Sequence, residues 1–341
     1  MEKKSKEKPS TYAKAGVDIK KEDKTISGIR TWVSKTFKFR EGKIGSVMYD
    51  IGTFANTIDF GEYALAFTTD GVGSKVLVAQ ELEKYDTVGI DLVAMNVNDL
   101  LCLGAEPIAM VDYLAISHPD EKTAREISIG LYEGARQAEI AIVGGETATL
   151  PDIIMGKGRM GFDIAAAAIG AVKKDKIITG ETIAVGDVIL GFASSGIHSN
   201  GLTLARKVLP VNMWTKLLTP TRIYVKEVLT LLKEYEIHGL ANITGSGMLN
   251  LRRITKHGIM LDKLPEPPLI FKKIQELGKV SVDEMYRTFN MGVGFCVICS
   301  EETANLIVGK YGREFRIAPV GRIVEGGGVS IVHKGSTIKL D

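Results

Sequence analysis

The sequence has 341 residues, 45% hydrophobic and 25% charged, enough for two domains with sizeable cores, and this profile excludes a disordered, collagen-like or coiled-coil chain. Forty-three basic residues oppose 41 acidic ones, and a net charge of +2 gives no general electrostatic reason to bind nucleic acid or an anionic membrane. Three cysteines cannot frame a disulfide scaffold and suit a reducing cytoplasm; no apolar run reaches the length of a membrane span, and glycine, with 37 residues, is the one excess.

In chain order, the opening MEKKSKEKPS is charged and lacks the apolar stretch of a signal peptide, so it reads as a frayed tail. Strand character recurs over Tyr63–Thr69, Pro107–Ile116, Ile140–Val143, Phe162–Val172, Asp187–Ala193 and Met291–Ser300. Among the helical patterns between them the clearest runs from Glu121 to Gln137, where Ala124, Ile127, Leu131 and Ala135 form an apolar stripe behind Asp120 as N-cap. The charged turn Lys173–Asp175, followed by ITGETIAVGDVIL restarting a sheet, divides the chain into residues 1–173 and 174–341. Two α/β-type domains in an α+β chain are expected.

Familiar nucleotide motifs fail at their real spacing. In GIHSNG, Gly196–Gly201, Leu202 stands where a phosphate-loop lysine belongs. The pairs Gly71 and Gly73, Gly245 and Gly247, and Gly292 and Gly294 all lack the third glycine of a dinucleotide fingerprint, and no G-x-S-x-G elbow occurs. Cys296 and Cys299, three apart on a strand, face opposite ways and read as core, as does Cys102; the five histidines show no zinc-ligand spacing.

Polar residues next to glycines at the ends of apolar strands remain. Strand Tyr63–Thr69 delivers Asp70 to an edge, Gly71 and Gly73 allow a tight turn, and Lys75 can meet a phosphate, although a solvated turn reads equally well. In LVAMNVNDLLCLGA, read as a helix, Asn96, Asn98 and Asp99, with Asp91 just before it, place four polar groups among apolar ones, where each needs a partner. Gly144-Gly145-Glu146-Thr147 follows the strand AEIAIV, and Glu146 could join Asp70 and Asp99 around one hard cation. Ser194–Gly201, SSGIHSNG, opens a helix and either receives an anion or is a capped turn. Ala241–Gly247 and Asn290–Gly294 are further polar turns of this kind.

In this order and spacing DGVGSK, YDTVGIDLVAMNVNDLLCLGAEP, GGETA, SSGIHSNG, TPTRIYVK, the ITG of ANITGSG and EMYRTFNMGVG closely resemble the phosphoribosylformylglycinamidine cyclo-ligase, or aminoimidazole ribonucleotide synthetase, family. TYAKAGVDIKKEDKTISGI resembles that family's N-terminus, so the match runs from about Thr11 to the end. The resemblance implies a cytoplasmic homodimer whose N-terminal domains jointly form a β-barrel and whose C-terminal domains complete the substrate cleft. It implies ATP and Mg2+ as cofactors, with a monovalent cation such as K+ as a further expectation, and formylglycinamidine ribonucleotide as substrate.

Carried over by motif, the implied catalytic residues are Lys75 and Asp99, and the implied metal ligands Asp70, Asp99 and Glu146. ATP or its phosphates would meet Asp70, Gly71, Gly73, Ser74, Asn96, Asn98, Gly145 and Thr147, and the ribonucleotide Ser195, His198, Ser199, Asn200, Asn242 and Thr244. Two departures from the family pattern stand out. Asn242 and Ser246 replace the histidine before ITGGG and its middle glycine, and IGSVMYDIGTFAN, residues 44–56, replaces a glycine-rich segment.

Within the wider superfamily, a selenophosphate synthetase should carry a reactive cysteine near its start and a carbamoyl dehydratase a cysteine tail, whereas here the first cysteine is Cys102 and the sequence ends KLD. A thiamine-monophosphate kinase would lack TRIYVK, and the large formylglycinamidine synthetase would be much longer. A scaffold that has lost its chemistry is the alternative from another class; Asp70, Asp99 and Glu146 oppose it.

Overall fold

The structure, a computed structural model, describes residues 19–340 together with Thr11, Ala15 and Gly16. The charged tail MEKKSKEKPS lies outside the described residues. The N-terminal half is built on a mixed five-stranded sheet of β1 (Asn56–Phe60), β2 (Tyr63–Gly71), β3 (Glu106–Ile116), β4 (Ala141–Thr149) and β5 (Phe162–Lys173), in the order β1-β2-β5-β3-β4. Helix α1 (Ile19–Val33) precedes it, and α2 (Val76–Glu81), α3 (Val88–Leu101) and α4 (Glu121–Ala138) follow the strands. Along α3 every residue except Ile90 and Asp99 is buried, because it is sandwiched between the sheet and α4. The expected cap of α4 is present: the Asp120 carboxylate accepts from the Thr123 N–H at 2.7 Å.

The C-terminal half carries a mixed seven-stranded sheet of β6 (Val188–Ala193), β7 (Gly239–Asn242), β8 (Gly258–Leu261), β9 (Val293–Cys299), β10 (Ile317–Val324), β11 (Val329–His333) and β12 (Ser336–Lys339), ordered β12-β11-β8-β10-β6-β9-β7. Its helices are α5 (Leu202–Val208), α6 (Val225–Glu234), α7 (Leu269–Gly278), α8 (Val282–Thr288) and α9 (Glu301–Tyr311). Residues 178–186, expected to restart the sheet, are irregular, and the sheet resumes at Val188. The two sheets make this a two-domain α+β chain.

All three cysteines are buried and free, and burial pushes the Cys296 and Cys299 thiols up to about 12, as befits core residues. The larger difference from the sequence reading concerns β4. It does not turn at Gly144-Gly145 but continues through Thr149, paired in parallel with β3 after a register shift at Met110/Val111. Nearly all of β4 is exposed, and it forms an unpaired edge of its sheet.

Candidate active site

Strand β1 stops covering β2 at Phe67, so the backbone of Asp70 lacks a strand neighbour on that side. The side chain of Asn96 on α3 fills the gap: its Oδ1 accepts from the Asp70 N–H at 3.1 Å and its Nδ2 donates to the Asp70 carbonyl at 3.3 Å. It also donates to Leu92 O at 2.9 Å, so Asn96, expected to meet ATP or its phosphates, is instead fully buried and braces the backbone behind the cleft. Asp70 then accepts from the Gly71 N–H at 2.7 Å, and the chain turns through Gly73 into Ser74, whose hydroxyl meets Thr203 across the domain boundary at 3.0 Å.

A cleft of ≈ 420 Å³ opens there between the halves, with Asp70, Gly71, Gly73 and Ser74 on one wall and Ser199, Asn200 and Thr244 on the other. Seven expected site residues therefore share one cavity. Arg253 lines it too, and its guanidinium lies 4.9 Å from the ring of Phe54, a residue of the altered segment 44–56. Hollows of ≈ 460 and ≈ 700 Å³ elsewhere contain none of the expected site residues, so size does not choose the site.

Beside this cleft Asp99 occupies one of the two incompletely buried positions of α3 and accepts from Asn242 Nδ2 at 2.8 Å. Burial pushes the Asp99 carboxyl up to about 7, the charge of Asp70 adds to the rise, and the Asn242 hydrogen bond and Arg253 oppose it. Burial likewise raises Asp70, against the Gly71 N–H and Arg253. Asn242 is a neutral donor whose own N–H meets the Cys102 sulfur at 3.2 Å, so it orients Asp99 and cannot trade a proton with it. Ser246 adopts φ −99°, an ordinary conformation for any residue, so the loss of the middle glycine costs the turn little. Its neighbour Gly247, at φ +53°, has no such freedom: a Cβ there would strike the Tyr286 carbonyl.

In the loop 194–201, Ser195 is exposed and its hydroxyl donates to Pro220 O at 2.5 Å, whereas His198 turns inward. The His198 Nε2 accepts from the Ser195 N–H at 3.3 Å, and burial, helped by Lys75 and Arg222, lowers its pKa to about 3, so the ring is a neutral brace rather than a group offered to an anion. Its φ of +62° and the bare Gly294 beside it belong together, since a Cβ at Gly294 would collide with the His198 ring and the Tyr224 hydroxyl. Asn290 ties down the front of the loop, taking the Ser194 hydroxyl at 3.0 Å and donating to Gly196 O at 2.9 Å. Asn200 Nδ2 is shielded and without a protein partner among the described residues, a donor left over for a ligand. Thr244 reaches Asn250 at 3.4 Å.

Lys75 and Asn98 stand elsewhere than expected. Lys75 is fully buried with Nζ 2.8 Å from each Asp91 carboxylate oxygen, and donates to Thr219 O at 2.7 Å and His198 O at 3.4 Å. Its three N–H bonds are taken inside the protein, an arrangement that leaves none for a phosphate. Asn98 likewise joins the halves, donating to Arg222 O at 2.9 Å and accepting from the Tyr224 N–H at 3.1 Å.

Gly145, Glu146 and Thr147 lie apart from the cleft. Asp70 is opposite Ala166, Ala166 opposite Asp112, and Asp112 opposite Gly145, so three strand spacings, roughly 14 Å, separate Asp70 from Gly145. Among the described residues no group of three His, Cys, Asp or Glu could hold a metal ion. The carboxylate triad expected of Asp70, Asp99 and Glu146 is thus a pair within one chain.

Models of the AIR synthase related protein family match the chain twice, its N-terminal domain over residues 52–172 and its C-terminal domain over residues 184–334. Proteins named phosphoribosylformylglycinamidine cyclo-ligase are similar along nearly the whole chain. That of Pyrococcus furiosus is 53% identical, covering 94% of this chain and 99% of its own; that of Thermococcus kodakarensis is 50% identical, covering 97% and 99%. The chain belongs to the phosphoribosylformylglycinamidine cyclo-ligase family. Solved structures with the same fold include HypE of E. coli, a hydrogenase maturation protein, with TM-score 0.62, 21% identity and coverage of 81% of this chain and 85% of that one. Thiamine monophosphate kinase of Aquifex aeolicus has TM-score 0.64 and 16% identity, covering 91% and 97%. At those identities the likeness shows the fold alone.

Two arginines near the site escape a reading by residue type. Arg253 follows another arginine in LRRI, and nothing in the sequence says which of them faces the acids. Arg222 of TRIYVK is a structural tie, donating to Ala193 O at 2.9 Å, Glu227 at 2.9 Å and Phe315 O at 2.8 Å.

Proposed function

We propose that the protein converts formylglycinamidine ribonucleotide and ATP into aminoimidazole ribonucleotide, ADP and phosphate, the fifth step of purine synthesis. The amide oxygen of the substrate is a poor leaving group; it attacks the γ-phosphorus and ADP departs. The amidine nitrogen then attacks the activated carbon, loses a proton, and phosphate leaves as the imidazole ring closes. Such a reaction asks for positioning and charge stabilisation without a covalent nucleophile.

The observation that carries this reading is the meeting, in one interdomain cleft, of the Asp70–Ser74 turn with Ser199, Asn200 and Thr244 in a member of this family. Asp70 and Asp99 are hard oxygen donors with raised proton affinity, and they fit a divalent cation such as magnesium. Magnesium, when bound, supplies neutralisation of phosphate charge. Asn242 orients Asp99, Arg253 adds positive charge, and the unpartnered Asn200 amide donates to the ribonucleotide or its phosphate. The thiamine monophosphate kinase and HypE neighbours include complexes with AMPPCP and with ATP, which supports a nucleotide in this reading.

The proposed assembly is a homodimer. The outer face of the five-stranded sheet exposes Phe67, Val111, Tyr113 and Val143, and β4 leaves its edge open beside them. A second copy covering that face gives the shared barrel, and only across such an interface could Gly145, Glu146 and Thr147 contribute to a nucleotide site. We place the division between halves at Lys173/Lys174, where β5 ends, and the enzyme in the cytoplasm; no helix among the described residues is long and apolar enough to cross a membrane. The test is purified protein with formylglycinamidine ribonucleotide, ATP and magnesium, with colorimetric detection of aminoimidazole ribonucleotide. Product is expected, and its absence despite saturable ATP binding sinks the proposal.

A further inference from the structure

The loop 194–201 is anchored in two different ways. Its front half is held within its own domain by Asn290. Its back half, which faces the cleft, is held across the domain boundary: the Ser199 hydroxyl donates to Asp91 Oδ1 at 3.1 Å and meets the Thr221 hydroxyl at 3.2 Å. The same Asp91 oxygen accepts from the Thr221 N–H at 2.7 Å and the Thr221 hydroxyl at 2.6 Å. Among the described residues Asp91 Oδ2 faces only the Lys75 ammonium, at 2.8 Å, and that ammonium in turn holds the carbonyls of Thr219 and His198. Lys75 and Asp91 are both fully buried, so the charges have no water to turn to and no freedom to rotate away.

We infer that Lys75 and Asp91 form a buried clamp through which the N-terminal half positions two C-terminal loops, residues 195–201 and 219–221, for the ribonucleotide. Lys75 is then a positioning residue in a motif whose lysine invites a phosphate-binding role. A lysine that touched phosphate would keep at least one N–H toward the cleft, whereas every bond of this one ends on the carboxylate or on a carbonyl of the loops it steadies. The effect on substrate rests on the cyclo-ligase reading above; the effect on the loops does not.

Hydrogen–deuterium exchange of the ligand-free protein tests it, comparing wild type with Lys75→Met/Asp91→Leu. The apolar pair also leaves the Thr221 N–H, the Ser199 and Thr221 hydroxyls and two carbonyls without the partners they had, so a lower melting temperature is expected and the exchange of β9 amides reports that global loss. Amides of residues 195–201 and 219–223 should then exchange faster by at least about ten-fold more than those of β9. The KM for formylglycinamidine ribonucleotide should rise by about ten-fold or more and that for ATP by less than about two-fold. Unchanged loop exchange in the folded variant overturns the clamp, whatever the enzyme makes, and faster exchange with an unchanged ribonucleotide KM overturns the positioning role. If wild type makes no product, the functional reading fails while the exchange comparison still decides the clamp. Should the double variant not fold, Asp91→Asn removes the charge that faces Lys75 at nearly constant shape: faster exchange at 195–201 and 219–223 supports the clamp and unchanged exchange overturns it.

Discussion

The two sheets of this chain are finished to different degrees. In the C-terminal sheet every residue of β9 and of the edge strand β7 is buried, so both faces of that end of the sheet are covered by the chain itself. In the N-terminal sheet α3 and α4 cover one face, while β4 is exposed along almost its whole length and Val143 is 67% exposed. An edge strand open on both faces, with the apolar run Ala141–Val143 at its start, is costly to leave in water and is ordinary at an interface. On the proposed homodimer, the contrast separates a sheet that carries stability from one that carries assembly.

Charges placed in the two sheets should break this comparison most sharply. Ile298→Asp in β9 buries an unpaired carboxylate and should cost about 4 kcal/mol or more, visible as loss of the cooperative unfolding transition in urea. Val111→Asp with Val143→Asp should leave that transition in place and convert a dimer into a monomer by light scattering, with turnover lost. If the double variant unfolds as Ile298→Asp does, the outer face of the N-terminal sheet is core, and the division of labour is wrong.

Asp99 gives the next largest effect, at the seam between the sheets. Its carboxyl lies near 7 in the fold against an ordinary value of 3.8, so folding takes up a proton between those values. The sign follows: this contribution is complete below about pH 4, falls as pH rises, and is gone above about 7. Asp99→Asn should therefore lower turnover by about a hundred-fold or more, while the ligand-free variant at pH 8 is no less stable than wild type and exceeds it by up to a few kcal/mol. Denaturant titrations at pH 4 and 8 check this; a variant destabilised equally at both values would make Asp99 a structural acid. At the small end, Ser246→Gly should change stability by less than about 1 kcal/mol, because the backbone there already suits either residue.

The sequence made the fold legible where a single physical signal dominates. The strand at Tyr63 and the helix behind Asp120 announce themselves by period and cap, and the structure places them within two residues. The extent of β4 was not legible, because Gly144-Gly145 reads locally as a turn and only parallel pairing with β3 keeps it extended. For the site, the grouping of Asp70, Ser199, Asn200 and Thr244 follows from polar turns at strand and helix ends. Lys75 does not, since a lysine in a glycine-rich turn looks alike whether it faces solvent or an aspartate sixteen residues on. Burial and partner choice are long-range facts, and the distance of Glu146 from Asp70 within one chain is of the same kind.

The amide of Asn96 has a consequence for how such a site can change. It pairs with the backbone of Asp70 rather than with its side chain, and Asp99 follows three residues later on the same helix. A neutral group thereby acts as a ruler, tying the helix register to the strand register and setting the spacing of two acids whose carboxylates it leaves free. An insertion of one residue in α3 between Asn96 and Asp99 would swing Asp99 by about 100° around the helix while leaving both carboxylates in the chain.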